Sequence, residues 1–218
     1  MKILALEFSS EERSAALVQC AAGLPPVALG RAAETSGHRA IGLVSDALLQ
    51  AHCEREDVEA IVVGLGPGSY TGIRGAIALA QGWQLGRGVR LLGLSSVSSV
   101  AARAADEKIF GPVLIVVDAQ RNEFYLARYE IGPGQARETQ ALRLAPFSEI
   151  EQLARSGATI IGPDLTRLIP QGRDLYPDAA VLGRLACGQT AFVPGEKLEP
   201  IYLRQTAFKK APPARALP

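Results

Sequence analysis

The sequence predicts a mixed α/β fold whose structural plan begins twice, and two observations carry that expectation. Within the first 105 residues, three strand-like segments are followed by helix, strand, helix, strand, helix. From residue 112 a strand–turn–strand opening recurs, as if the same plan had started again. Such an order implies a sheet whose first strands are antiparallel and whose later ones are parallel.

The elements follow in turn. Residues 2–8 form an apolar run and residues 14–20 its hairpin partner, across the turn-prone Ser9 to Arg13; a third strand is expected over 27–33. Ile41, Val44, Leu48 and Ala51 fall at i, i+3, i+7 and i+10, the apolar face of a helix. Residues 60–65 are a short apolar run ending in a glycine loop, hence a buried strand. A helix over 71–86, a strand over 89–94 and a small-residue helix over 96–105 complete the first unit. The stretch 105–111 marks a candidate boundary, dividing the chain into units 1–106 and 107–208. The second unit is expected to hold strands at 112–118, 123–130 and 158–161 and helices near 147–155 and 178–187, in a more loop-rich setting. Proline-rich residues 209–218 are expected to be a disordered tail.

Composition narrows the function. Hydrophobic residues are 48% of the chain and charged residues 21%, an ordinary globular balance. The net charge of +1 supplies no global field for nucleic acid or anionic membrane, so any contact with nucleic acid is expected to be indirect or weak. Three scattered cysteines without a C-x-x-C pair argue against a disulfide framework and for a reducing compartment. No signal-type apolar segment opens the sequence, and no apolar run approaches about 20 residues. A cytoplasmic protein is the expectation.

Gly64-Leu-Gly-Pro-Gly-Ser-Tyr-Thr-Gly-Ile-Arg74 is the most informative segment. It lies between a buried strand and a helix, where backbone N–H groups and the helix dipole can hold an anion. No lysine follows the glycines, so it is not a Walker loop. A glycine turn needed for positive φ and close helix–strand packing explains it too, and local physics alone favours that turn. Both readings stay open.

The helix that follows carries a sharper signal. Between Ser69 and Gly86 its only charged side chain is Arg74. Gly75, Ala78 and Gly82 form a stripe of small residues, Ile73, Ile77 and Ala80 a second face, Leu79 and Trp83 a third. A helix apolar nearly all round must be covered on more than one side. Packing against the chain's own helix at 40–51, with its stripes Ile41/Val44/Leu48/Ala51 and Ala40/Leu43/Ala47, is the plain alternative. A protein–protein interface is favoured, because the two helices together offer more apolar face than one sheet can cover.

The first hairpin places Glu7 and two serines at a strand end, the kind of turn with which a phosphotransferase holds Mg²⁺ and phosphate. Glu7 stands alone, and Asp118 in the second half is followed by Ala119-Gln-Arg-Asn122, without glycine or hydroxyl groups for a phosphate cradle. A solvated turn is therefore expected. His38 and His52 have no second histidine or cysteine at ligand spacing, so no metal site is expected, and no catalytic residue can be assigned. His38 is expected at the surface near the start of its helix.

Ile3-Leu-Ala-Leu-Glu-Phe-Ser-Ser10, Ser36-Gly-His-Arg39 leading into Leu48-Leu49, and Gly66-Pro-Gly-Ser-Tyr-Thr-Gly-Ile-Arg74 together resemble the TsaB (YeaZ) family of bacterial tRNA threonylcarbamoyladenosine biosynthesis proteins. Leu94-Ser-Ser96, Asp118-Ala-Gln-Arg-Asn-Glu-Phe-Tyr125 and Pro200-Ile-Tyr-Leu-Arg204 extend the resemblance to nearly the whole chain. It implies a two-lobed actin-like fold of the actin/Hsp70/sugar-kinase superfamily (ribonuclease-H-like), with the second lobe reduced.

The resemblance also implies a non-catalytic accessory subunit. Its partner TsaD, similar in fold, transfers threonylcarbamoyl from its adenylate to N6 of the adenosine beside the anticodon, and TsaE joins the full complex. TsaD owns a metal-binding H-x-x-x-H pair; here Gly42 stands four residues after His38, so that pair is missing. In the family the early helices pack on TsaD, which assigns Ala40, Leu43, Ala47, Arg74, Gly75, Ala78, Leu79 and Gly82 to the partner interface. Glu7, Ser9, Gly66, Gly68, Ser69 and Thr71 become vestigial phosphate loops. The family usually has aspartate where this chain has Glu7, which speaks against Mg-ATP binding by this chain alone, and no cofactor is implied. A stand-alone phosphotransferase or ATPase of the same fold is the alternative. A self-associating scaffold is another, and a homodimer is expected when TsaD is absent.

Overall fold

The computed structural model describes residues 1–35 and 40–203. The motif 36–39 with His38, Arg204 and the tail expected at 209–218 lie outside the described residues.

Five strands make the first sheet: β1 (Lys2–Glu7), β2 (Glu12–Gln19), β3 (Val27–Thr35), β4 (Ala60–Gly64) and β5 (Arg90–Leu94). They lie in the order β3-β2-β1-β4-β5, antiparallel among the first three and parallel from β1 through β4 to β5. Strand alternation sends Leu4, Leu6, Ile61 and Val63 to one face and Ile3, Ala5, Ala60 and Val62 to the other. Both faces are apolar, so both need cover. Helices α1 (Ala40–Gln50) and α2 (Tyr70–Arg87) cover the first face.

The second sheet repeats the plan with β6 (Gly111–Asp118), β7 (Glu123–Gly132), β8 (Gln135–Pro146), β9 (Thr159–Gly162) and β10 (Arg173–Asp174), ordered β10-β9-β6-β7-β8. Its pairings copy the first sheet: β6–β7 and β7–β8 antiparallel, β6–β9 and β9–β10 parallel. Helix α4 (Phe147–Arg155) packs on one face through Ile150 and Ala154.

The remaining two helices cross over. Helix α3 (Ser96–Asp106) follows the first sheet in sequence, yet Val97, Val100, Ala101 and Ala104 pack on Val113, Ile115, Ala127 and Tyr129 of the second. Helix α5 (Ala179–Ala186) follows the second sheet and packs on Ile3, Ala5, Ala16 and Val18 of the first. A Cβ added to Gly183 would stand 2.5 Å from a Val18 methyl, which shows how closely α5 lies on the sheet. Asp178 caps α5, accepting from the N–H of Ala180 and of Val181, and meets Arg31 Nε at 2.6 Å. A division at residue 106 therefore follows the chain but not the packing, because each sheet is covered by a helix from the other half.

Two expectations need correction here, and one strand was not expected. The turn at Glu7 is not solvated: Glu7, Ser9 and Ser10 are buried, since α2 and its leading loop close over the end of β1. Cys20, at the end of β2, and Cys187, at the end of α5, are joined in a disulfide with Cα atoms 5.6 Å apart, leaving Cys53 as a free thiol. The crossover of α5 is what brings two residues 167 positions apart together. Strand β8 was not foreseen, because an edge strand with Arg137, Glu138 and Arg143 along it lacks the apolar alternation that announces a half-buried strand.

Candidate functional site

The loop before α2 is held from both sides. Gly66 and Gly68 have φ of 82° and 149°, and a Cβ on Gly68 would stand 2.0 Å from the Ser9 carbonyl oxygen. Ser69 donates its N–H to that oxygen at 2.7 Å and caps α2 by accepting from the N–H of Gly72. Gly66 donates to Ser96 Oγ and accepts from the Ser96 N–H. Close backbone approach accounts for the glycine at 68, and the left-handed φ for the one at 66.

Helix α2 divides cleanly. Gly72, Ile73, Ala76, Ile77 and Ala80 are buried against the sheet, and Leu79 and Trp83 are half-buried. Thr71, Arg74, Gly75, Ala78, Gly82, Leu85 and Gly86 are exposed, at helical spacing along one stripe. A Cβ added to Gly75, Gly82 or Gly86 would meet nothing within 4 Å, so no contact within the described residues requires glycine there. At the stripe's start Arg74 lies 4.4 Å over the ring of Tyr70, and Tyr70 stacks on Tyr202 at 5.5 Å.

Helix α1 is arranged differently from the expectation. Leu43 and Ala47 are turned into the chain's own core, at 3% and 0% exposure, packed with the β1–β4 side chains, so they are closed to any partner. Ala40 is half-buried. The exposed apolar residues of α1 are Ile41 and Leu49, at 65% and 74%. The buried face of α1 takes Val44 and Leu48 from one expected stripe and Leu43 and Ala47 from the other, a division that sequence periodicity alone does not fix for a helix apolar on two sides.

Between the two sheets lies a cleft of about 960 Å³, lined among others by Ser9, Gly68, Ser69, Tyr70, Asp118 and Tyr202. Glu7 is not in its lining. Its carboxylate faces Gly64, accepts from the Ser9 N–H at 3.0 Å and from Ser96 Oγ at 2.9 Å, and burial pushes its pKa up against the opposing pull of those hydrogen bonds. Gly66 and Thr71 also stay out of the lining. Thus, of the six phosphate-loop positions, the structure gathers Ser9, Gly68 and Ser69 at the cleft.

On the opposite wall Asp118 accepts from the backbone N–H of Gln120 at 2.7 Å and from its side-chain amide at 3.0 Å. Gln120, Arg121 and Asn122 then run through three successive left-handed conformations, with φ near 60°. Non-glycine residues take this region at a cost of roughly 1–2 kcal/mol each, and such strain is held where the surroundings over-determine it. Arg167, across the mouth, meets Glu11 of the first half at 3.5 Å and Asp164 at 3.7 Å. Tyr176 donates to Asp164 at 2.7 Å; burial, then this carboxylate, push Tyr176 up to about 12. Arginines, carboxylates, hydroxyls and tyrosine rings thus share the cleft lining. Tyr70, Tyr202 and Arg167 were missed in the sequence, since their meeting depends on how the two sheets face each other.

The family model described as TsaD: tRNA N6-adenosine threonylcarbamoyltransferase matches residues 23–186. The tRNA threonylcarbamoyladenosine biosynthesis protein TsaB of Escherichia coli strain K12 is 32% identical over 97% of this chain and 99% of its own length. The chain belongs to the TsaB family, within the wider family that the transferase model describes. The Haemophilus influenzae TsaB protein is 28% identical over 97% of this chain and 98% of its own. The solved structure of YeaZ from Pseudomonas aeruginosa superposes with a TM-score of 0.74 at 28% identity, covering 93% of this chain and 99% of that one. With paired five-stranded sheets and flanking helices, this TsaB-family chain has the two-lobed actin-like fold. Among the described residues no helix is long and apolar enough to cross a membrane.

Proposed function

We propose that this chain is the accessory, non-catalytic subunit of the cytoplasmic machinery that makes threonylcarbamoyladenosine in tRNA, and that it binds and activates a TsaD-type transferase. The transferase carries out the chemistry, moving threonylcarbamoyl from its adenylate to N6 of the adenosine beside the anticodon, with TsaE in the full complex. One observation supports this reading above the rest: the bare stripe of Arg74, Gly75, Ala78 and Gly82 along α2, whose glycines nothing inside the chain requires. A stripe of small residues lets a second helix approach closely. Ile41 and Leu49 of α1 supply apolar contact on the same face of the sheet, in place of Leu43 and Ala47. Leu79, half-buried, would sit at the rim.

The same face would pair two copies of the chain when the transferase is absent, and tRNA would be touched chiefly through the partner. Ser9, Gly68 and Ser69 at the cleft are then vestiges of a phosphate-binding ancestry, and Glu7 serves the fold.

The test mixes the chain with the TsaD protein of the same organism and measures mass by light scattering after size exclusion. The wild-type pair is expected to elute near the summed mass, and Ala78→Arg or Gly82→Glu is expected to abolish that species while leaving the circular dichroism and melting temperature of the subunit near wild type. A wild-type mixture that never associates would overturn the accessory role. An Ala78→Arg variant that binds normally would overturn the α2 surface alone.

A further inference from the structure

The disulfide between Cys20 and Cys187 has a position that gives it a task. Cys20 follows β2, and its backbone is tied to the amino terminus by Cys20 N–H to the Met1 oxygen and by the Met1 ammonium to the Cys20 oxygen, both 2.8 Å. It is thus a fixed point of the first sheet. Cys187 ends α5, the helix that has crossed from the other half.

From Cys187 the chain runs back over the edge of the first sheet as a strap. Residues 188–191 are exposed; Val193 then donates to the Leu91 oxygen at 2.9 Å. Gly195 accepts from Gln81 and donates to Gln84 of α2, both at 2.8 Å, and Ile201 donates to the Leu65 oxygen. The strap ends with Tyr202 stacked on Tyr70, at the first residue of α2. The disulfide pins the root of a strap whose far end holds α2 in place.

Both cysteines are half-buried, packed at the margin of the core beneath α5 rather than sealed inside it. Their Cα separation of 5.6 Å is the ordinary disulfide spacing. A bond closing a loop this long strongly constrains the unfolded chain.

We propose that Cys20 and Cys187 are a thiol–disulfide exchange site for a small-molecule thiol–disulfide couple, with glutathione as the probe, and that exchange switches the strap between pinned and released. One cysteine thiolate attacks oxidised glutathione, forming a mixed disulfide and expelling one glutathione thiolate. The second cysteine thiolate attacks that mixed disulfide and expels the other. Two protein thiols and one oxidised glutathione thus become one protein disulfide and two reduced glutathiones, and reduction is the reverse. This assignment rests on the placement of the two sulfurs and the strap, not on the function proposed above.

The full chain would be equilibrated, folded, in glutathione buffers from fully reduced to fully oxidised, quenched in acid, labelled with a maleimide and weighed by mass spectrometry. Of the three cysteines, all three are expected to take label at the reduced end and one, Cys53, at the oxidised end, with the pair changing together. Three labels at every ratio would overturn the site, because no bond would form. One label at every ratio would overturn the exchange, because the bond would be a permanent cross-link. Amide hydrogen exchange over 188–201 is expected to quicken on reduction, and Cys20→Ser to match the reduced form in both buffers; unchanged exchange would overturn the strap's release. Melting temperature should fall on reduction by on the order of 10 °C.

Discussion

The two sheets have the same strand order and opposite fates at one connection. Between β4 and β5 the chain builds the 18-residue helix α2; between β9 and β10 it makes a three-residue 3-10 turn, Leu165–Arg167, and β10 itself is two residues long. The second sheet is covered by α4 on one face and the borrowed α3 on the other. The first sheet has α1, α2 and the borrowed α5. A sheet needs only enough helix to dry its two faces. The lobe that kept its long helix is therefore the lobe with a helix face left over, and the reduction of the second lobe points to where an interface can be.

The largest test of that comparison asks whether the lobes are separate at all. Ile61 on β4 pairs beside Leu4, and Ile160 on β9 pairs beside Leu114, the same place in each sheet. Both side chains are buried, at 0% and 3% exposure. Truncating either to alanine should cost about 2–5 kcal/mol. Because α3 and α5 each cover the opposite sheet, either variant should lower one cooperative transition for the whole molecule in chemical denaturation. If Ile160→Ala split the curve into two steps, with the first-sheet step unmoved, the crossed helices would not couple the lobes.

How far the sequence carried depends on the same asymmetry. In the first lobe β1, β4, β5, α2 and α3 were legible because buried strands and the loops that end them leave strong local marks: an apolar run, then glycine at 66 and 68. Strands β6 and β7 were legible for the same reason. Strand β8 was not, since an exposed edge strand carries charges instead of alternation, and β10 is too short to leave a pattern. The stripe of Arg74, Gly75, Ala78 and Gly82 could be seen in advance because a polar face that is merely absent shows in the letters. Which side of α1 faced inward could not, and neither could the cleft's Tyr70, Tyr202 and Arg167. The disulfide lay beyond reach because it depends on α5 crossing to the first sheet.

A middle-sized effect concerns Glu7, the carboxylate that the first lobe buries at the end of β1, where the second lobe's Asp118 at the end of β6 stays partly open. Burial raises the Glu7 pKa in the folded state above its unfolded value. The folded chain then holds a proton that the unfolded chain has released. The contribution to stability is full below the ordinary glutamate range and is lost as pH rises through the raised folded value. Glu7→Gln removes that loss while keeping an oxygen for the Ser9 N–H. Melting temperature measured from acid to neutral pH should fall more in the wild type than in Glu7→Gln. A variant that follows the wild-type slope would mean that Glu7 keeps its charge in the fold and that its burial is relieved by Ser9 and Ser96.

The smallest effect separates what the fold wants from what an interface wants. Gly75 and Gly82 sit in the interior of α2, exposed, with open space where a Cβ would go. Glycine in a helix interior costs roughly 0.5–1 kcal/mol relative to alanine, because the unfolded chain has more freedom to lose. Gly75→Ala and Gly82→Ala should each raise the stability of the isolated subunit by about that amount, read as a small rise in denaturation midpoint at unchanged m-value. The methyl groups would also hold a partner helix further away, so the same variants should bind the transferase more weakly in calorimetry. Opposite signs in the two measurements would mark the stripe as kept for contact. If alanine stabilised the subunit and left binding unchanged, the partner would have to dock elsewhere on the first lobe, and the leftover face of α2 would be bare for a reason other than assembly.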